Sequence, residues 1–418
     1  MSRIAVIGAG PAGLWAARKA AAAGHEVVVH ERADHVGGMA ASFDVAGVRV
    51  DLGSHRLHPS IDHAILRELQ DIVDLQWRPR NGRIRLLGRW LRFPLRPAEL
   101  VTKLPLRFAV DAVRRNRVER TDTYAEVVRA RFGTAMLEHF YGPYARKLWG
   151  VDPEHLSGEQ ARRRIAASSP TAILRRTLRR ERPHFWYPRT GFGAIVDALA
   201  RDVDVRLESE VTSLDDLDAD LVWSTIPITA LARIAGGPAT ALRFRALVLV
   251  YVVLDGRPYT SFDAHYLPGP ETPLSWVSEP INYRRNPDDP LERTVLCAEL
   301  PCDVGDEHWS MDDGALGALV ARDLEGVDPV DVVVRRLPAA YPIYDQRFEL
   351  GVQELDEWLA TRTDIVSFGR GGLFAHDNTH HALAEGEAVA RCLGADGRWD
   401  AAAWSAAKAR FAAHVVED

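Results

Sequence analysis

Three observations predict an α/β fold with a doubly wound parallel sheet assembled from distant parts of the chain. The first thirty-two residues read strand, glycine turn, helix, strand. A second strand, glycine turn and helix stand near the other end, from Asp364 to Cys392. Between them lie an arginine-rich helical stretch and a β-branched run, material for an inserted subdomain and a second sheet.

Each opening element has a physical reason. Arg3 to Ile7 is apolar and short, as a buried strand requires, Leu14 to Ala23 is an alanine-rich helix, and His25 to Arg32 is a second strand. The turn is Gly8-Ala9-Gly10-Pro11-Ala12-Gly13. Gly8 lets the strand reverse, Gly10 lets backbone N–H groups approach a pyrophosphate, and Gly13 lets the helix pack close on the sheet. The helix amino terminus then faces the phosphate charge. Glu31, 18 residues after Gly13, is placed to accept hydrogen bonds from a ribose diol and to repel a 2′-phosphate. That favours FAD or NAD over NADP, with Arg32 weakening the exclusion. Small residues also serve close strand–helix packing, but here strand, turn, helix, strand and acid occur in order. Val36-Gly37-Gly38-Met39 follows directly, and a second glycine pair lets the chain run along an extended cofactor. This arrangement resembles the FAD-binding end of the amine oxidase and protoporphyrinogen oxidase superfamily.

The 418 residues, 47% hydrophobic and 26% charged, suffice for two or three ordinary globular domains. A net charge of −6 argues against a dedicated nucleic-acid binder. Cys297, Cys302 and Cys392 show no zinc spacing and are expected to be reduced thiols in a cytoplasmic protein. The amino terminus enters the first strand almost at once, so no signal peptide is expected. The longest apolar run, Ala246 to Leu254, is too short for a bilayer and reads as a buried strand, so no integral membrane association is expected.

Further along, Ala40 to Asp51 predicts a hairpin, Ile61 to Val73 a helix and Ile84 to Phe93 a strand-like segment. Helical, arginine-rich sequence runs from Arg96 to about Arg180. Val203 to Leu207 and Leu221 to Thr225 read as strands returning to the first sheet. Residues 241 to 345 alternate β-rich segments with a helix near Asp312 to Leu324. The expected division is therefore 1–95, 184–240 and 351–418 for a discontinuous cofactor domain, 96–183 for a helical subdomain and 241–350 for a β-rich substrate domain.

Four further motifs occur in order: Gly53-x-His55-x-x-His58, Lys147-Leu148-Trp149-Gly150-Val151-Asp152-Pro153, Ala340-Tyr341-Pro342-Ile343 and Gly369-Arg370-Gly371-Gly372. In that order they resemble UDP-galactopyranose mutases and their mutase-like relatives. The resemblance implies a Rossmann-like FAD-binding domain, a helical subdomain beside the flavin and a sheet over the substrate. It implies that Gly53, Ser54 and His55 run beside the flavin, with His55 positioning it and exchanging protons near neutral pH. Gly369, Arg370, Asp377, Asn378 and Thr379 become the second cofactor contact, and Arg370 the support for the flavin or an anionic substrate. Trp149, Arg163, Tyr341, Tyr344 and Phe374 become the substrate-binding set. Arg189 and Arg347 are further candidates for anion contact.

Departures from the family pattern are equally specific. Ala167 and Phe374 stand where the mutases carry an arginine and a tyrosine, and His376-Asp377 replaces tyrosine and aspartate. They leave FAD binding untouched and leave the substrate open. His376, His380 and His381 share helical spacing, but without HExxH or an assured carboxylate ligand no metal site is expected. The resemblance implies a FAD enzyme isomerising a sugar or nucleotide-activated small molecule through reduced flavin N5, without net redox change. A dehydrogenase or oxidase of protoporphyrinogen oxidase or amine oxidase type is the alternative on the same fold. The oligomeric state is not legible in the sequence.

Overall fold

The computed structural model describes residues 1–95, 97–106, 108, 121–165, 183–256 and 258–416. Two sheets dominate it. Five parallel strands run in the order Ile365–Ser367, Leu221–Ser224, Arg3–Ile7, Glu26–His30 and Asp204–Arg206. Val6 lies opposite Val29 on one side and Trp223 on the other, and Trp223 opposite Val366. The strand nearest the amino terminus is thus flanked by one drawn from more than 200 residues away, which makes this sheet discontinuous in sequence.

The same convergence is visible one layer out. Helix Pro11–Ala22 buries Leu14, Trp15, Ala16 and Ala17, and packs against helix Thr379–Arg391. The approach is so close that a Cβ on Gly386 would lie 2.5 Å from the Ala12 carbonyl oxygen. Trp15 Nε1 donates to Glu387 at 2.8 Å across the same contact.

The second sheet has seven strands in the order Asp331–Pro342, Phe244–Asp255, Arg293–Cys302, Trp276–Ser278, Ala264–Tyr266, Gly82–Leu86 and Arg89–Phe93. All pairings are antiparallel except that of Ala264–Tyr266 with Gly82–Leu86. Helix Asp313–Asp323, capped by Asp312, buries Leu316, Leu319 and Val320 against it. The hairpin at 82–93 differs from expectation. Sequence read a single strand-like segment, Ile84 to Phe93, within the 1–95 range of the cofactor domain, whereas Ile84, Leu86 and Leu91 bury against Phe108, Met136, Phe140 and Tyr266 and the hairpin lies at the edge of the second sheet. Gly369–Gly372, expected as a turn, closes into one short helical turn.

Of the arginine-rich stretch, the described helices include Tyr124–Phe132, with a Thr123–Glu126 capping box, Gly142–Trp149 and Gly158–Arg164. Ala167 lies outside the described residues. Lys147 fixes this region to the second sheet, its ammonium donating to the carbonyls of Gly269 at 2.6 Å and Leu274 at 2.8 Å. Burial lowers that ammonium's pKa to about 8.

Candidate active site

A continuous cleft of about 2840 Å³ runs from the glycine turn, between the two sheets, to a chamber under the described helices. At the turn, helix Pro11–Ala22 begins at Gly10 with no side-chain cap, leaving its first N–H groups available. Gly8 has φ +104°, and a Cβ there would sit 2.5 Å from Thr225 Oγ1. The Thr225 hydroxyl donates toward the carbonyls of Ile7 at 3.1 Å and Gly8 at 3.2 Å, locking the reversal. Glu31 accepts from the Ala9 N–H at 2.9 Å through one oxygen and from the Ala33 N–H at 3.0 Å through the other. The carboxylate therefore braces the turn, and each oxygen keeps a lone pair for a further donor.

Midway, Gly53 and Ser54 meet residues of the second sheet. The Gly53 N–H donates to the Tyr251 hydroxyl at 3.2 Å and the Ser54 N–H to Glu299 at 3.0 Å. His55 Nε2 pairs with the Leu52 carbonyl at 3.0 Å, which makes that nitrogen the donor, and its ring stacks on Phe192 at 5.2 Å. Burial lowers the His55 pKa, against the opposing pull of Asp51, so the imidazole is neutral at pH 7. Opposite lies Arg370, which donates to the carbonyls of Asp377 at 2.9 Å and Ala340 at 3.0 Å and packs 5.6 Å from the Tyr341 ring. Burial, then the neighbouring Arg164, lowers its pKa.

Glu299 joins these parts. Its second oxygen accepts from the Tyr341 hydroxyl at 3.3 Å, and burial raises its pKa to about 7. A carboxyl that changes charge near neutrality, within the cleft, is suited to holding or releasing a proton.

The chamber is walled by Trp149, Phe140, Tyr141, Tyr144, Tyr266 and Trp276, with Arg80, Arg92, Arg131 and Arg164 also lining the cleft. Trp149 stands edge-on to Tyr124 at 5.6 Å. Arg80 donates to the Tyr266 hydroxyl at 2.7 Å. Among the described residues Arg164 has no ion-pair partner, yet its charge bears on Glu299, Tyr341 and Arg370.

Most sequence-predicted positions line this cleft: Gly8, Gly10, Pro11, Ala12, Glu31, Arg32, Gly38, Met39, Gly53, Ser54, His55, Trp149, Tyr341, Gly369, Arg370, Asp377, Asn378 and Thr379. Others lie outside it. Gly13 and Gly37 stand behind the lining; a Cβ on Gly13 would be 2.2 Å from the Gly8 carbonyl oxygen, and the Gly37 N–H donates to Ala9 at 2.8 Å. Arg163 is turned away to Glu159 at 2.8 Å and the Tyr344 ring, and the next residue, Arg164, takes the cleft position. Tyr344 and Phe374 are core residues: the Tyr344 hydroxyl donates to the Phe374 carbonyl at 2.7 Å, and Tyr344 stacks on Phe348 at 4.0 Å. Arg189 pairs with Asp74 at the surface, and Arg347 does not line the cleft. Sequence reasoning missed Arg164 and Glu299; a lone acid in an apolar strand was the only signal for the latter.

A glycine turn on an uncapped helix amino terminus, meeting a second strand–glycine–helix unit across one sheet, defines the class: a dinucleotide-binding protein. The sequence model of the flavin containing amine oxidoreductases matches residues 11–393, and the chain belongs to that family; it is a FAD-dependent enzyme. A Mycobacterium tuberculosis (strain H37Rv) protein named as the flavin-containing monoamine oxidase AofH is 48% identical over 59 residues. That match spans 14% of this chain and 13% of the relative's length. The crystal structure of reduced UDP-galactopyranose mutase superposes with a TM-score of 0.82 at 20% identity, covering 100% of both chains. Wild-type putrescine oxidase bound to putrescine superposes at 0.58 with 18% identity, covering 93% of this chain and 98% of that one. At these identities the structural likeness speaks for the fold. No helix among the described residues is long and apolar enough to cross a membrane.

Proposed function

We propose that the enzyme isomerises an anionic, nucleotide-activated sugar without net redox change, in the manner of the mutases its fold resembles. The supporting observation is the charge of the chamber. Arg80, Arg92, Arg131 and Arg164 line the cleft with Arg370 beside an aromatic wall, while burial raises the pKa of Glu299 to about 7. Guanidinium groups suit a diphosphate, and aromatic faces suit a planar base. The same charge disfavours an ammonium, so an amine oxidase reading fits the chamber poorly despite the family match.

The cofactor end fits FAD. The backbone of Gly10 lies open to the cleft, with nothing within 4 Å of where a Cβ would be, and the uncapped helix start offers amide donors to a diphosphate. In this reading Gly8 to Ala12 hold the diphosphate and Glu31 the ribose. Gly38, Met39, Gly53, Ser54 and His55 border the ring system, and Gly369, Arg370, Asp377, Asn378 and Thr379 close the other side. Bound FAD supplies a nucleophilic nitrogen when reduced and accepts a hydride when oxidised. His55, neutral and fixed by the Leu52 carbonyl, orients the ring edge. Arg370 balances negative charge, Glu299 holds or releases a proton, and Trp149 with Arg164 retains the nucleotide.

Anaerobic turnover tests this. Dithionite-reduced enzyme should convert a nucleotide sugar such as UDP-galactopyranose with no electron acceptor present. Stoichiometric bleaching of oxidised flavin by an amine, with no nucleotide-sugar conversion, would contradict it.

A further inference from the structure

Two further elements converge on the carboxylate of Asp377, whose backbone carbonyl is the one that accepts from Arg370. His381 comes from the first turn of helix Thr379–Arg391, and His414 from the segment after helix Ala401–Phe411. Asp377 Oδ1 is 3.3 Å from His381 Nδ1 and 3.5 Å from His414 Nδ1, and the three ligand atoms lie within 4.8 Å of one another. Zinc bonds of about 2.1 Å to nitrogen and oxygen give tetrahedral ligand separations of about 3.4 Å.

The hydrogen bonding there is incomplete. Asp377 is 5% exposed and Glu385 0%, yet Asp377 Oδ2, both Glu385 oxygens and His414 Nδ1 are buried with no hydrogen-bond partner. His381 Nδ1 accepts the Asn378 N–H at 3.3 Å, so it is the unprotonated nitrogen of that ring, and its lone pair becomes a ligand when the ring turns away from this capping contact. Buried acceptor atoms left without donors are satisfied when a cation lies among them.

We propose that Asp377, His381 and His414 bind one divalent transition-metal ion of the zinc type, with Glu385 supporting Asp377 as an outer carboxyl. Two imidazoles and one carboxylate are a borderline nitrogen and oxygen donor set, matched to zinc rather than magnesium. Glu385 stands four residues after His381 on the same helix, and its fully buried side chain neighbours Asp377, the place of an outer carboxyl. The two rings, now near-parallel at 4.2 Å, must rotate to bring both nitrogens onto the ion. Of His376, His380 and His381, whose spacing was considered in the sequence without a metal site being expected, only His381 joins this cluster: His376 pairs with Gln160 at 2.8 Å and His380 with Ser60 at 3.2 Å. The bound ion is structural. It pins the segment holding His414, whose Val415 lines the cleft and whose Val416 N–H donates to the Arg163 carbonyl at 2.8 Å, against the cofactor loop.

The test uses holoenzyme stripped with a chelator, incubated with zinc chloride, desalted and assayed for metal and flavin. About one zinc per chain is expected in the wild type and in His380→Ala, and none in His381→Ala or His414→Ala variants that keep their flavin spectrum. Zinc should raise the melting temperature of the wild type but not of His414→Ala, and magnesium should do neither. A wild type that retains no zinc, or a His414→Ala variant that retains as much as wild type, overturns the proposal.

Discussion

The two ends of the cleft are built from different material. At the turn the contacts come from backbone, held by Gly8, Gly10 and Gly13 and braced by Glu31 and Thr225. At the chamber they come from side chains on elements far apart in sequence, among them Arg80, Trp149, Arg164 and Glu299. A backbone cradle tolerates almost no added atom. A chamber of side chains changes its ligand when one residue changes, which allows one FAD fold to carry mutases and oxidases.

Substitution should separate the two ends. The largest effect is expected at Gly13→Val, whose Cβ would lie 2.2 Å from the Gly8 carbonyl oxygen; it should cost more than about 3 kcal/mol or prevent folding. Gly10→Val, by contrast, places its Cβ where nothing lies within 4 Å and should fold and purify colourless, melting as the wild type stripped of FAD does. A yellow Gly10→Val protein with full FAD content breaks the backbone half of the comparison.

Next in size is a pH effect on the second sheet. Glu279, 0% exposed and accepting from the Thr260 N–H and hydroxyl, has its pKa raised by burial to about 7. The folded state thus binds its proton more tightly than the unfolded chain does. That contribution is complete below the usual carboxylate pKa and is lost as pH rises through about 7, amounting to about 3 kcal/mol. Urea unfolding between pH 5 and 8 should show the decline in wild type and a flatter profile in Glu279→Gln; identical profiles would remove the effect.

A smaller change is expected at the chamber. Arg164→Ala should weaken UDP binding roughly 10- to 100-fold in titration calorimetry with flavin content unchanged, whereas Arg163→Ala should weaken it less. The reverse ranking would restore the position read from the sequence. Smallest is Asp62→Ala, which removes the acceptor for the Ala64 and Ile65 N–H groups and should lower stability by about 1 kcal/mol in thermal melts without touching either end of the cleft.

This division also explains what the sequence reveals. The turn was legible because its demands are local: glycines at fixed spacing, a helix start and one acid. Helices Ala194–Ala200 and Thr379–Arg391 and strand Phe244–Asp255 follow from apolar periodicity. Arg163 and Arg164 could not be told apart, because helix phase and the Glu159 partner decide which of adjacent arginines faces the cleft. Tyr344 and Phe374 read as pocket residues, and only their mutual packing with Phe348 reveals a core. The sheet to which the hairpin at 82–93 belongs was not legible, because pairing of Gly82–Leu86 with Ala264–Tyr266 leaves no local trace. His414 lay over thirty residues from its partners.

The most direct measurement of the proposed chemistry is an anaerobic titration of reduced holoenzyme with UDP and of oxidised holoenzyme with putrescine, each followed by flavin absorbance and fluorescence. A chamber that binds a nucleotide diphosphate beside FAD predicts a saturable flavin response to UDP, lost in Arg164→Ala, and none to putrescine. No response to UDP, together with reduction of the oxidised enzyme by putrescine, would contradict it.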